Sequence, residues 1–152
     1  MGMSCRNCKN QNCFVLKYFS PGDIDIISEN KSIRHFKKGE LVYRESEVPE
    51  NVYFIYEGCL KIVKKDHRGS DWDLYFAEPG DLVGYRSVVC SEPHSTSAFV
   101  YSDSLMCETD KNYFMNSFLH NREFVENFMK FLSEEIWLRE RRIEDLENYK
   151  SN

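Results

Sequence analysis

The chain has 152 residues, 41% of them hydrophobic and 30% charged, which suits one domain with a core of its own. A net charge of −5 gives no general attraction to a phosphate backbone, so the chain does not read as a module that grips DNA by itself. No apolar run reaches bilayer-spanning length, and the polar start from Met1 to Asn12 lacks a charged-then-apolar signal pattern; a cytoplasmic location without membrane contact is expected.

Residues 1–20 form a polar leader carrying Cys5, Cys8 and Cys13 in a C-x2-C-x4-C pattern. In a reducing compartment, clustered thiols point to metal or redox chemistry more than to structural disulfides. Three sulfurs at this spacing can converge on one centre, and a fourth ligand must come from elsewhere. From residue 32 to 110 the pattern is of short strands broken by Gly39, Gly58, Gly69, Gly80 and Gly84. The predicted strands are Ser32–Phe36, Leu41–Arg44, Val52–Tyr56, Leu60–Lys65, Trp72–Phe76, Asp81–Val83, Ser97–Tyr101 and Leu105–Thr109. Hairpins are predicted around Glu57-Gly58 and around His67-Arg68-Gly69.

Asn121–Tyr149 changes to a helical pattern, with no Pro or Gly and a surface dense in Glu, Arg and Lys. Phe124, Phe128 and Phe131 make an early stripe suited to capping a β-layer. Met129, Leu132, Ile136, Ile143 and Leu146 follow 3-4 spacing, with Arg139 in the remaining position, as in the seam of a two-stranded coiled coil. A homodimer is the expectation, and an amphipathic helix packed on its own core is the alternative.

Taken together, His35-Phe36-Lys37-Lys38-Gly39-Glu40-Leu41-Val42-Tyr43, Val52 through Lys61, Pro79-Gly80-Asp81-Leu82-Val83-Gly84 and the long final helix resemble the sensory half of Crp/Fnr-type transcription regulators. The resemblance implies a mainly β fold with α, a double-stranded β-helix (jelly-roll) barrel of the cyclic-nucleotide-binding type at 21–120, and a dimerisation helix at 121–150. That family continues into a winged helix-turn-helix absent from this sequence, so DNA is expected to be reached only through a domain outside it.

Nucleotide-binding members of the family place a Glu just after the Gly-rich turn and an Arg further on. Here Tyr85 and Thr96 stand at those positions, after Gly84, with Arg86 near by. A buried phosphate without a guanidinium partner is an uncompensated charge, so a cyclic nucleotide is not expected as effector. Another small molecule, in a pocket near Tyr75, Val83, Tyr85, Arg86 and Phe99, is the alternative.

Oxygen-sensing Fnr-like members carry a similar N-terminal cysteine trio and a fourth cysteine on a late barrel strand before an acidic residue. Ser104-Leu105-Met106-Cys107-Glu108 resembles that strand and nominates Cys107, with Cys90 in reserve. The resemblance implies a [4Fe–4S] cluster held by four thiolates. The same spacing suits zinc, and a trio that is idle or disulfide-forming stays open. Cys59 reads as a small buried hydrophobe. His35, His67, His94 and His120 stand at no ligand spacing and read as surface or locally hydrogen-bonded residues. No nucleophile–base motif, phosphate loop or H-x-H metal strand is present, so an enzyme is not expected. The sensing hypothesis is that a cluster ties the leader to the barrel near the start of the long helix and so biases dimerisation. In that scheme two Arg139 guanidinium groups facing each other would oppose pairing unless Glu135, Glu140 or Glu144 neutralised them.

Overall fold

The structure is a computed structural model and describes residues 4–151, the Ser117 side chain apart. After a 3-10 turn at Cys5–Asn7, the chain runs through α1 (Phe14–Tyr18) and α2 (Pro21–Glu29). It continues with β1 (Ser32–Phe36), β2 (Leu41–Tyr43), β3 (Asn51–Lys65), β4 (Asp71–Ala77), β5 (Leu82–Val83), α3 (Tyr85–Cys90) and β6 (Ser97–Asp110). The short α4 (Lys111–Tyr113) passes into a π-turn at Phe114–Phe118, and α5 (Arg122–Ser151) completes the described chain.

All strand pairs are antiparallel. The two long strands β3 and β6 lie side by side from Asn51↔Asp110 to Val63↔Ser97 and form the spine. The outer edge of β6 takes β1 and β2, and the outer edge of β3 takes β4 and β5. Each spine strand had been expected as two. Val52–Tyr56 and Leu60–Lys65 are one strand, β3, and Ser97–Tyr101 and Leu105–Thr109 are one strand, β6. The hairpin expected at Glu57-Gly58 is a corner instead: β3 keeps its partner through register shifts between Ile55 and Leu60, the bulges by which a strand bends round a barrel. Gly58 sits there at φ +95°, where a Cβ would stand 2.6 Å from the Asp103 carbonyl oxygen and 2.7 Å from Ser104 Cα. Only glycine fits that corner. The hairpin expected at His67-Arg68-Gly69 is present. The Asp66 carboxylate accepts from the backbone of Arg68 and Ser70 and from the Trp72 indole, closing the turn between β3 and β4.

Side chains along β3 alternate between two cores, as a strand with both faces covered requires. Tyr53, Ile55, Leu60 and Ile62 fill the barrel with Phe36, Val83, Val100 and Met106. Val52 and Phe54 point the other way, into a second core built with Phe14, Ile27, Phe114, Phe124, Phe128 and Phe131. The N-terminal stretch read as a polar leader is therefore part of the fold, with Cys5, Phe14, Val15 and Phe19 in the second core. Ser20 caps α2 through the Asp23 N–H, Pro21 opens the helix, and the Arg6 guanidinium pairs with Asp25. The helical segments before residue 30 are too short to show a period, which is why they escaped the sequence pattern.

Candidate metal centre and effector pocket

Parity on β6 decides where Cys107 points. Met106 is fully buried inside the barrel, so Cys107, its neighbour, faces the helical core on the outside. There it lines one small cavity with Cys5, Cys8 and Cys13; Lys31, Tyr56 and the apolar Val15, Ile27, Phe54 and Ile55 complete the wall. The cavity has a volume of about 10 Å³, room for one water-sized atom. All four cysteines are free thiols, and Cys5, Cys8 and Cys107 are buried. As they stand, no three His, Cys, Asp or Glu side chains among the described residues are close enough together to hold a metal ion. The thiols share a cavity without being drawn in around a centre.

Local structure sets each thiol. The Cys5 N–H donates to Ser28 Oγ on α2, which fixes the start of the 3-10 turn. Asn10 donates to the carbonyls of Ile55 and Tyr56 on β3, holding the loop between Cys8 and Cys13 against the barrel. The next residues pass so close to the β4–β5 turn that a Cβ on Gly80 would stand 2.7 Å from the Asn12 carbonyl oxygen. Cys13 directly precedes α1. Burial pushes its thiol up to about 11, against the lowering effect of the Val15 and Leu16 N–H groups. Burial also raises Cys107, opposed by the Lys31 ammonium 3.5 Å away. Cys90, the reserve ligand, ends α3 on the exposed surface and lines no part of this cavity. Cys59, expected as a small buried hydrophobe, lies instead half-buried at the β3 corner and belongs to neither core.

Gly84, Tyr85, Arg86 and Thr96 line a second, larger cavity of about 440 Å³ between the barrel mouth and α5. The wall also takes Tyr43, Tyr75, Val83 and His94, and from α5 Leu132, Glu135, Ile136 and Arg139. Phe99 had been placed here and does not belong: Ala98 and Val100 face inward on β6, so Phe99 points to the other side, toward Lys61 and Tyr101. The Arg86 guanidinium is paired with Glu92 at 3.1 Å, and its Nε donates to Ser95 Oγ at 3.4 Å. His94 is a correction of a different kind: it is buried, stacked on Tyr43 at 4.1 Å, and not a surface residue.

On α5, Phe124, Phe128 and Phe131 are buried on the barrel side as expected. Met129, Ile136, Ile143 and Leu146 are exposed, and Leu132 is half-buried beside the larger cavity. Arg139 turns onto its own barrel, pairing with Glu135 at 3.7 Å and lying over the Tyr75 ring at 5.6 Å. Its charge is engaged within the protomer, so two bare guanidinium groups meeting across a dimer is not the arrangement this packing favours. Among the described residues no helix is long and apolar enough to cross a membrane.

Sequence pattern did not disclose Lys31, which acquires its place because β1 runs beside β6 with Ile33 opposite Cys107. Glu135, expected as one of three carboxylates able to neutralise Arg139, is the one that pairs with it.

The chain matches the family model of the cyclic nucleotide-binding domain over residues 33–121. It is 29% identical over 135 residues to an anaerobic regulatory protein of Bacillus subtilis (strain 168), an alignment covering 83% of this chain and 57% of that protein. It is 26% identical over 133 residues to the transcriptional activator protein Anr of Pseudomonas protegens, covering 87% of this chain and 54% of that one. The chain thus spans a little over half the length of these relatives. The sensor domain of the transcriptional regulator DNR from Pseudomonas aeruginosa has the same fold, with a TM-score of 0.71 at 17% identity, covering 85% of this chain and 87% of that chain. A six-stranded antiparallel barrel closed by a long helix, with a family match over more than half its length, places the chain in the cyclic nucleotide-binding domain family, on its Crp/Fnr branch.

Proposed function

We propose that this chain is the sensory domain of a Crp/Fnr-type transcription regulator whose four cysteines, Cys5, Cys8, Cys13 and Cys107, hold an iron–sulfur cluster of the [4Fe–4S] type. The observation that carries the reading is the shared cavity: a thiol from a late barrel strand and three from the N-terminal segment line one apolar space. The donor set fits, since such clusters are held by thiolates alone. When bound, the cluster would supply a ligation that oxidants can break.

What the chain itself contributes is a short path from those thiols to the long helix. Cys13 leads directly into α1, whose Phe14 ring packs on Phe124, Phe128 and Phe131 of α5. Tyr18 donates to Glu134 at 3.0 Å, and Asn127 donates to the Tyr18 carbonyl at 2.9 Å. Gathering the thiols would draw on Cys13 and so shift α1 where it already packs on α5, a two-state element of the kind a sensor needs. The exposed line of Met129, Ile136, Ile143 and Leu146 then pairs with the same line on a second copy, forming a homodimer. DNA is reached through a helix-turn-helix domain outside these residues.

A second reading, a single zinc ion on the same four thiolates, is favoured by one observation, the atom-sized cavity. Cyclic nucleotide is not proposed as the effector: Tyr85 and Thr96 replace the charged contacts, and Arg86 is tied to Glu92. Iron, sulfide and zinc analysis of anaerobically prepared protein tests both readings. Equal iron and sulfide, with visible absorbance that bleaches in air and is lost in Cys107→Ser, is the expected result. Colourless zinc-loaded protein replaces the cluster by zinc, and protein with neither metal defeats the four-thiolate site.

A further inference from the structure

We infer that Lys31 is the counter-charge of the thiol centre, its ammonium group donating to the Cys107 sulfur and offsetting the negative charge that four thiolates bring into this cavity. The inference rests on the four-thiolate site proposed above and assigns a role to a residue outside the ligand set.

Lys31 stands between α2 and β1, and its Nζ lies 3.5 Å from Cys107 Sγ. The Cys5 thiol is its other sulfur neighbour. Among the described residues it is the sole cation lining the cavity, and no carboxylate pairs with it. A lysine ordered and partly removed from water gives up rotamer freedom and hydration. Facing neutral thiols it recovers little; facing thiolates it gains charge-assisted hydrogen bonds. Four thiolates around a dication, whether zinc or an oxidised cluster core, leave two net negative charges. Val15, Ile27, Phe54 and Ile55 give those charges an apolar wall, where an uncompensated charge is most costly. Lys31 cancels one of them at the sulfur it touches. Such partners of ligands orient and tune a centre without binding it.

The test titrates the reduced, metal-free chain with cobalt(II), whose thiolate complexes are coloured, and then displaces it with a chelator. The series compares the wild-type chain with Lys31→Met, Lys31→Gln, Lys31→Arg and, as a control for loss of an exposed charge, Lys38→Met. The expected result is a loss of cobalt affinity of about 10- to 100-fold in Lys31→Met and Lys31→Gln, recovery in Lys31→Arg, and no change in Lys38→Met. Thermal melting of the metal-free proteins separates this from a folding defect, because removing a half-buried charge should leave the metal-free fold as stable or more so. If Lys31→Met is too poorly folded to measure, Lys31→Gln carries the comparison. Unchanged affinity in a folded Lys31 variant overturns the counter-charge role alone; no cobalt binding by the wild-type chain overturns the four-thiolate site and this role with it.

Discussion

Met106 and Cys107 are neighbours in sequence and occupy different cores, because successive residues of a strand face opposite sides. A shift of one residue in the β6 register would turn the thiol into the barrel and away from Cys5, Cys8 and Cys13. The same residue-by-residue logic governs His94, buried against Tyr43 with its backbone bonded to Glu47 and Ser46. Burial lowers its pKa below the ordinary 6.5, with Glu47 opposing as the smaller effect. The unfolded chain therefore takes up a proton that the folded chain refuses. The stability due to His94 is complete above the ordinary value and declines as pH falls below it, so melting temperature should drop between about pH 7 and 5. His94→Phe keeps a ring for Tyr43 and should flatten that slope. A melting curve against pH with the wild-type slope retained in the variant would remove His94 as the cause.

Among the elements, α1 is the shortest route from the thiols to α5, and it depends on one ring. Phe14 is 2% exposed and touches Tyr18, Phe19, Phe54, Phe124, Phe128 and Phe131. Phe14→Ala should cost about 3–5 kcal/mol, read from the urea midpoint of the chain. If α1 were only draped over the surface, the loss would be under about 1 kcal/mol. The contrast between α1 and β1 is instructive. The strand Ser32–Phe36 was legible to the residue from its composition and flanking turn, whereas α1 has five residues and no period, and is helical because Phe14 and Val15 have a core to enter. The spine strands fall between these cases: their residue types were legible, and their continuity through Gly58 was not, since a bulged corner and a hairpin turn favour the same glycine.

At the scale of the molecule, α5 is 30 residues long while its buried residues end at Phe131. Beyond it the helix reaches the barrel through Arg139 and Arg142, which lie over the Tyr75 ring, and buries no further side chain. Ile136, Ile143, Leu146 and Tyr149 are 59–83% exposed in the single chain, an apolar line of the sort that marks an interface. Ile143→Glu should weaken self-association by more than about 10-fold, a cost above about 1.4 kcal/mol, while leaving the barrel's near-ultraviolet spectrum unchanged. Sedimentation equilibrium of the variant beside the wild-type chain reads this directly. An identical association constant would leave the exposed line without a partner of its own kind.

Local chemistry written in the chain was enough for the barrel class, the long helix with its two apolar lines, the glycine turns and the candidate thiols. Each of these is a matter of residue type at short spacing, where period, turn geometry and ligand chemistry act within a few positions. Tertiary structure alone decided that the N-terminal segment is folded, that Cys107 and not Cys90 lines a cavity with Cys5, Cys8 and Cys13, that Lys31 faces it, and that Arg139 turns back onto Tyr75. These are encounters between residues far apart in the chain. Which of them occur depends on strand register and on which face of a strand or helix has a core to bury, and no window of neighbouring residues contains that information.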